Sequence, residues 1–217
     1  MKLAVRNING LTVSYRRGTA DEQVLELVLA RNRYQFTADM TGMTVVDIGA
    51  QIGSATMWCA SHGATVYAYE PAHDSFLICQ RNIEQNKLDA RVYELAVGVP
   101  GERDFYLHPD NTASAGARGE PGFEKIKATW VSLQTVFNDI EVCDVLKMDC
   151  EGGEIDVIPQ IVDLNDRIKV VVGEVHAGQW PYPTPELDKQ INDAAALLDE
   201  HYVRSRISDC EYRWEHR

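Results

Sequence analysis

The residues best suited to chemistry are acids that end short apolar runs. Asp47 closes one such run, and Gly49 and Gly53 follow it. A second run over 65–69 is followed by Glu70, which lies seventeen residues after Gly53. A strand, a glycine turn, a helix, a second strand and an acid are how an open parallel sheet holds an adenine nucleoside. The glycines let the backbone approach the ligand, and the acid can accept both ribose hydroxyls.

The spacing of this turn indicates which nucleoside it binds. The pattern Asp47-x-Gly49-x-x-x-Gly53 lacks the close glycine pair of G-x-G-x-x-G, which lets a pyrophosphate lie on a helix N-terminus. A nucleoside without phosphates fits it better, which predicts S-adenosylmethionine (SAM) as cofactor. In this interpretation Glu70 binds the ribose, Asp47 orders the turn and residues 94–97 flank the adenine. The predicted cofactor-binding residues are Asp47, Gly49, Ala50, Gln51, Gly53, Glu70, Pro71, Glu94, Ala96, Val97 and Asp149.

Simpler interpretations of the same residues stay open. Asp47 and Glu70 could be solvated acids that close two strands. Gly49 and Gly53 could serve only to let a strand and a helix pack tightly.

A second pair of acids follows the apolar run over 143–148. Asp149 and Glu151 lie two residues apart and precede two glycines. Such a pair could orient a hydroxyl, remove its proton, or share a divalent ion with another acid. Spacing assures no third ligand, so a metal is possible but unsupported. The acids could also stabilise the start of a helix, as could Glu154.

Three more residues complete the predicted catalytic set. Glu174 and His176 alternate at the end of the run over 168–175, so both need not face one pocket. His176 could act as a general base near neutral pH, although a lone histidine is more often structural. Lys147 lies inside a buried run, which is costly unless an acid pairs with it. The predicted catalytic residues are therefore Asp149, Glu151, His176, Glu174 and Lys147.

The elements that position these residues alternate between strand and helix. Strands are predicted near 43–47, 65–70, 91–97, 143–148 and 168–175, with two more in 202–214. Their apolar character suits strands buried on both faces, which predicts an α/β fold with a mostly parallel, doubly wound sheet. Ligands bind such sheets beyond the carboxyl ends of the strands, where the chemical residues fall.

The segments outside these strands also have predicted roles. An extra strand is predicted over 104–107. The irregular segment over 108–122, with Asn111 and Ser114, and the turn with Trp180 and Tyr182 are predicted walls for the substrate that binds beside SAM. We expect one domain over 1–217, in which 1–40 is a lead-in that could act as a lid and 41–217 is the core.

Composition excludes several classes of protein. The formal net charge is −12 and no run of lysine and arginine stands out, which argues against a nucleic-acid substrate. No apolar run reaches the roughly 20 residues that span a bilayer. Charge interrupts the N-terminus too early for a secretory signal, so a cytoplasmic protein without a membrane partner is predicted. Five scattered cysteines indicate neither a disulfide framework nor a zinc site. The oligomeric state is left open.

With these residues assembled, the chain resembles the FkbM family of SAM-dependent methyltransferases. The motifs that carry the resemblance are Val46-Asp47-Ile48-Gly49-Ala50-Gln51-Ile52-Gly53, Tyr69-Glu70-Pro71, the pair Asn82 and Asn86, the stretch from Asp144 to Glu154, and Arg17-Gly18-Thr19-Ala20-Asp21. The resemblance implies a Rossmann-like class I methyltransferase fold with seven strands, whose last strand pair is antiparallel. It also implies methyl transfer to oxygen, often a hydroxyl of a sugar or natural product. Gln51 stands where the family usually has asparagine, and Cys150 stands where it usually has an aliphatic residue.

Two other functions compete with this one. An NAD-dependent oxidoreductase also uses an acid at a strand end, but the missing G-x-G-x-x-G weighs against it. A nucleoside-binding module could keep the fold without turnover. The intact Asp149, Glu151 and His176 make that alternative weaker.

Overall fold

The computed structural model describes residues 3–108, 111, 115–117, 119, 121–176 and 184–217. The strands are β1 (Leu3–Ile8), β2 (Leu11–Arg16), β3 (Thr44–Ile48), β4 (Thr65–Tyr69), β5 (Ala90–Tyr93), β6 (Ala96–Val97), β7 (Gly101–Leu107), β8 (Glu124–Val131), β9 (Val145–Met148), β10 (Val170–Glu174), β11 (Tyr202–Arg206) and β12 (Glu211–His216). The α-helices are α1 (Asp21–Val24), α2 (Ser54–Ser61), α3 (His73–Asn86), α4 (Leu133–Val136), α5 (Glu154–Asp163) and α6 (Pro185–His201). A π-helix over Leu25–Ala30 continues α1, and a 3-10 turn covers Asn165–Arg167.

Seven strands form the central sheet in the order β11-β12-β10-β9-β3-β4-β5. The five strands from β10 to β5 run parallel, and β12 lies antiparallel between β10 and β11. Val46, Leu146 and Val171 in the middle of this sheet are fully buried, as expected of strands covered on both faces. The predicted mostly parallel sheet with an antiparallel last strand is confirmed.

The helices cover the two faces of the sheet with two separate apolar clusters. One cluster joins the β1–β2 hairpin, α1, α2 and α3, with Leu25, Met57 and Ile78 among its buried members. The other joins α4, α5 and α6, and includes Leu133 and Leu198. Burial on both faces fixes the sheet, and therefore the positions of the residues at its carboxyl edge.

The N-terminal hairpin is attached to α3 by amide side chains. Asn82 Oδ1 accepts the backbone N–H of Ser14 at 2.8 Å, and its Nδ2 donates to the carbonyl of Ile52 at 2.9 Å. Asn86 Oδ1 accepts the N–H of Thr12 at 2.8 Å. The two asparagines thus hold the hairpin, and Asn82 also holds the turn that precedes α2.

The predicted strand over 91–97 is wrong in extent, because it is two strands in two sheets. The carbonyl of Tyr93 accepts the N–H of Glu70 at the end of β5. The chain then leaves the central sheet, and β6 pairs with β8 in a second sheet of order β6-β8-β7. Apolar character alone cannot tell which partner a short strand will take.

Strand β8 and helix α4 were not predicted from the sequence. In β8 the residues Lys125 and Lys127 are exposed, whereas Ala128 and Trp130 are buried. This alternation is the period of a half-buried strand and was the available signal. The extra strand predicted over 104–107 exists as the longer β7.

Parts of the predicted acceptor walls lie outside the residues that the structure describes. Ser114, Trp180 and Tyr182 lie outside the described residues, whereas Asn111 lies within them. Among the helices that the structure describes, none combines the length and apolar character needed to cross a membrane.

Candidate active site

A cleft opens at the carboxyl ends of β3, β4, β9 and β10. Its empty space, counted out to the surrounding solvent, is about 890 Å³. Most of the residues predicted for cofactor and catalysis line it: Gly49, Ala50, Gln51, Glu70, Pro71, Ala96, Val97, Lys147, Asp149, Glu151 and Glu174. The lead-in supplies another part of the wall with Val24, Val28, Arg33 and Tyr34.

Four predicted residues do not line this cleft. Asp47 is buried beneath the glycine turn, and Gly53 packs against α3. Glu94 is exposed and pairs with His73 Nδ1 at 2.9 Å. His176 lies behind the acids of the cleft wall and contacts them.

Lys147 and Asp47 form a buried ion pair beneath the glycine turn. Lys147 Nζ lies 3.0 Å from Asp47 Oδ1 and donates to the carbonyl of Gly49 at 2.6 Å. Thr56 Oγ1 donates to the other Asp47 oxygen at 2.6 Å. Burial acts to lower the pKa of Lys147, but the carboxylates of Asp47 and Asp149 together outweigh it, so the net pKa is raised. Because both charges are partnered, this pair holds the turn to β9.

The turn after β3 requires glycine for two separate reasons. Gly49 has φ of +75°, which favours glycine. A Cβ there would also lie 1.9 Å from the carbonyl oxygen of Asp149. At Gly53 a Cβ would meet the sulfur of Cys79 at 2.7 Å. Close packing therefore demands both glycines, whatever ligand the turn binds.

The Glu70 carboxylate is fixed at the end of β4 by two backbone donors. Its Oε2 accepts the N–H of Gln51 and its Oε1 accepts the N–H of Ala72, each at 2.8 Å. Burial raises the pKa of Glu70 to about 7, although these two hydrogen bonds act to lower it. The carboxylate is thus a rigid acceptor on the cleft wall.

The lead-in holds the same turn from the opposite side. Gln51 Nε2 donates to Asp21 Oδ1 at 2.7 Å, and Asp21 binds Arg16 through two contacts of 2.8 Å. The arginine that binds Asp21 is therefore Arg16, one position before the Arg17 of the sequence motif. Gln51, the residue that departs from the usual asparagine, is the one that makes this connection.

His176 brings the acids of the site together. Its Nδ1 lies 2.8 Å from Glu154 Oε1, and its Nε2 lies 3.4 Å from Glu174 Oε2. Glu151 Oε2 and Asp149 Oδ1 lie 3.6 and 3.9 Å from the same Nε2. Burial acts to lower the pKa of His176, but the Glu154 carboxylate and its neighbours outweigh it and the net pKa is well above the usual value.

The three acids on the cleft wall differ in their electrostatic surroundings. Burial raises the pKa of Asp149, and the nearby Glu174 adds to this. Burial likewise raises the pKa of Glu151 to about 8. For Glu174 burial acts in the same sense, but hydrogen bonding to His176 and the charge of Arg33 outweigh it and lower the pKa to about 2.

Sequence reasoning missed Arg33 and Tyr34, which reach the acids from the lead-in. The Tyr34 hydroxyl donates to Asp149 Oδ2 at 2.8 Å. Arg33 Nη2 lies 3.2 Å from Glu174 Oε1, and its Nε contacts Glu211. These residues lie in a stretch without regular periodicity, so the sequence offered no signal for them. Glu154, considered as an acid at a helix start, is the first residue of α5 and also contacts His176.

This arrangement can be compared with known proteins. The family model described as Methyltransferase FkbM domain matches residues 47–213. The chain belongs to this family. The resemblance seen in the motifs is thereby confirmed, and nothing in the match supports an oxidoreductase or a silent binding module.

One curated relative and two solved structures illustrate the similarity. The hexuronic acid methyltransferase AglP of Haloferax volcanii is 26% identical over 165 residues, which cover 75% of this chain and 64% of that protein. A co-crystal structure of WbdD with a kinase inhibitor has 14% identity and a TM-score of 0.54, covering 89% of this chain and 40% of that one. A tRNA (uracil-54, C5)-methyltransferase of Pyrococcus abyssi, in complex with S-adenosyl-L-homocysteine, has 11% identity and a TM-score of 0.51, covering 99% and 44%.

The solved structures show the fold of this chain, and each relative is longer than the chain. The two structures share a Rossmann-like methyltransferase fold with this FkbM-family chain. The chain spans 64% of the length of AglP and less than half of either solved chain.

Proposed function

We propose that this FkbM-family protein transfers the methyl group of SAM to an oxygen atom of a sugar or a related small molecule. The supporting observation is a single cleft with two chemically different ends. Glu70 follows β4, beside an apolar wall, whereas Asp149 and Glu151 follow β9, so the two sets lie on opposite sides of β3 in this one cleft. The first suits a nucleoside and the second suits a hydroxyl group.

The residues of the first end fit SAM. Each Glu70 oxygen accepts one backbone N–H, which leaves each oxygen a further lone pair for a ribose hydroxyl. Pro71, Ala96 and Val97 offer an apolar surface to the adenine. On the same cleft wall, Ser54 Oγ is buried without a hydrogen-bond partner among the described residues, a position at which a bound ligand would supply one.

When bound, SAM supplies a methyl group on a sulfonium, which is open to in-line displacement by an oxygen nucleophile. The protein has to align the acceptor hydroxyl and receive its proton. Asp149 and Glu151 line the cleft, whereas His176 lies behind them. We assign contact with the hydroxyl to these two carboxylates, and orientation of the carboxylates to His176.

Of the two carboxylates, Glu151 is the better proton acceptor. Asp149 already accepts the hydroxyl of Tyr34. The Glu151 carboxylate has one side-chain partner among the described residues, which is His176. Glu151 therefore has more free lone pairs for the acceptor proton.

A sugar acceptor agrees with the charge of this protein. AglP, the curated relative, is named as a hexuronic acid methyltransferase, and a sugar presents several hydroxyls to the acids of the cleft. A nucleic acid would bring phosphates towards a chain of net charge −12, with carboxylates at the acceptor end of the cleft. We therefore propose a carbohydrate-like acceptor over RNA, despite the tRNA methyltransferase that shares the fold.

Transfer of a labelled methyl group tests this proposal. The protein and SAM with an isotopically labelled methyl are incubated together in separate reactions, each with one class of acceptor. The acceptors are neutral sugars, uronic acids, aromatic natural products and transfer RNA. We expect label in a sugar or small molecule, in a base-stable ether or a base-labile ester, and no label in RNA. Glu151→Gln should slow this transfer at least about tenfold, as expected for loss of a general base. The exposed Glu84→Gln serves as the matched control. Label in RNA alone would contradict the proposed acceptor.

A further inference from the structure

Three carboxylates face one nitrogen of His176. Its Nε2 lies 3.4 Å from Glu174 Oε2, 3.6 Å from Glu151 Oε2 and 3.9 Å from Asp149 Oδ1. An imidazole offers at most one N–H on that nitrogen, and this proton serves one carboxylate at a time. Arg33 also lies beside Glu174, whereas Asp149 and Glu151 have no arginine partner among the described residues.

The opposite side of the ring is fixed by another acid. Glu154 is fully buried, and its Oε1 lies 2.8 Å from His176 Nδ1. When a cation replaces the proton on Nε2, a carboxylate at this position keeps the other proton on Nδ1, and the lone pair of Nε2 is directed towards Asp149 and Glu151. Histidines that bind metal ions are held by a second carboxylate in this way.

Three possible ligand atoms at this site have a spacing that suits one ion. Asp149 Oδ1, Glu151 Oε2 and His176 Nε2 all lie within 4.8 Å of one another. Ligand atoms that are each about 2.1 Å from one ion are separated by about 3.0–4.2 Å, depending on the angle between them. Small side-chain adjustments therefore bring all three atoms into contact with a shared ion.

We propose that Asp149, Glu151 and His176 bind a divalent cation at the acidic end of the cleft. Two carboxylates and one imidazole form a donor set that accepts Mn²⁺ and similar first-row ions. The site supplies the third ligand that the sequence spacing of Asp149 and Glu151 left unassigned.

A second group of ligand-type residues does not compete with this site. Glu174, Cys210 and Glu211 also lie close together. Arg33 contacts both Glu174 and Glu211, so its guanidinium already occupies the position that a cation would take. We therefore assign that group to an ion pair with the lead-in.

The role of the cation rests on the proposed function, although its binding does not. Asp149 and Glu151 line the cleft, so an ion held by them is next to the acceptor. Its free coordination positions would take neighbouring hydroxyl oxygens of a sugar. Binding uses one oxygen of each carboxylate, and the other Glu151 oxygen stays available for the acceptor proton.

The test is a titration of the purified full chain with Mn²⁺, in which the electron paramagnetic resonance signal of free Mn²⁺ measures how much ion is bound. We expect one ion per chain. Glu151→Gln and His176→Ala should each weaken Mn²⁺ binding more than about tenfold, and Glu154→Gln should weaken it by about 10- to 100-fold. Glu84→Gln, an exposed acid on α3, should bind Mn²⁺ like the unaltered protein.

Titration with S-adenosylhomocysteine on the same samples reports the fold and separates the two proposals. Retained S-adenosylhomocysteine binding without Mn²⁺ binding overturns the cation site alone. Loss of Mn²⁺ binding in Glu211→Gln but not in Glu151→Gln places the ion in the other group and also overturns it. Mn²⁺ binding that depends on Glu151, in a protein that does not bind S-adenosylhomocysteine, supports the cation site and overturns the proposed function.

Discussion

The hydroxyl of Tyr34 donates a 2.8 Å hydrogen bond to Oδ2 of Asp149, across 115 positions of the chain. Tyr34 is almost completely buried, with 2% of its surface exposed. This contact joins the N-terminal lead-in to the acid at the end of β9. The lead-in is therefore part of the cleft wall, whereas its action as a lid stays a prediction.

Replacing Tyr34 with phenylalanine should impair turnover as well as stability. The change removes a donor to a partly buried carboxylate, which should cost about 1.5–3 kcal/mol in the free energy of unfolding. It also frees Asp149 to turn away from the acceptor, so methyl transfer should slow while the affinity for S-adenosylhomocysteine is kept. Tyr202→Phe is the control, because its hydroxyl binds the carbonyl of Ile168 far from the cleft. Equal turnover in the two variants would contradict a positioning role for Tyr34.

The ion pair between Lys147 and Asp47 should be a main determinant of stability. Lys147→Met leaves a buried carboxylate without its cation and should lower the free energy of unfolding by about 3–5 kcal/mol. Adding Asp47→Asn should recover part of this loss, with a coupling energy of about 0.5–3 kcal/mol in a double-mutant cycle measured by urea unfolding.

A surface pair provides the comparison for that experiment. Lys169 lies 2.7 Å from Asp144, but its side chain is 64% exposed. Lys169→Met should therefore change the free energy of unfolding by less than about 1 kcal/mol. Similar losses in the two lysine variants, or purely additive effects in the cycle, would show that Lys147 does not fix the turn.

The affinity for S-adenosylhomocysteine should depend on pH through Glu70. Its pKa in the free protein is raised to about 7 by burial, and the ionised form is the one that accepts two ribose hydroxyls. Binding should therefore strengthen as pH rises through about 7 and release a proton below that value. Calorimetry in buffers of different ionisation enthalpy measures this release. Glu70→Gln should abolish it, and proton uptake would contradict the assignment.

The raised pKa of Glu70 should affect folding stability in the opposite direction: ligand affinity rises with pH, whereas the contribution of Glu70 to stability falls. Because the folded pKa of Glu70 lies above the usual value of 4.5, the folded protein binds more protons than the unfolded chain between that value and about 7. The contribution of this group to stability is present below pH 4.5 and is lost as pH rises through about 7. Thermal unfolding of Glu70→Gln should lack this part of the pH dependence.

Local patterns were sufficient to predict the central sheet and part of the site. β3 and β4 are apolar runs with acids at their ends, and parallel strands bring those ends to one edge. The position of Glu70 on the cleft wall follows from this rule. The rule did not predict the partner of Asp47, because the position of a strand end does not reveal that Lys147 on the neighbouring strand β9 faces it.

Contacts that depend on the path of the chain were not predictable. Arg33 and Tyr34 reach Glu174 and Asp149 because the lead-in packs beside the sheet, and no periodicity marks them. Similarly, the run over 91–97 is divided between two sheets by its pairing with β8. In both cases the determining partner is distant in sequence.

Calorimetric titration with S-adenosylhomocysteine tests the central claim most directly. The unaltered protein should bind it, and Glu70→Ala should weaken binding at least about tenfold, since two hydrogen bonds to a charged group are lost. NADH, titrated in parallel, should not bind. Binding of S-adenosylhomocysteine that is unchanged in Glu70→Ala would contradict the assignment of Glu70. No binding by the unaltered protein would contradict the use of this cleft for SAM.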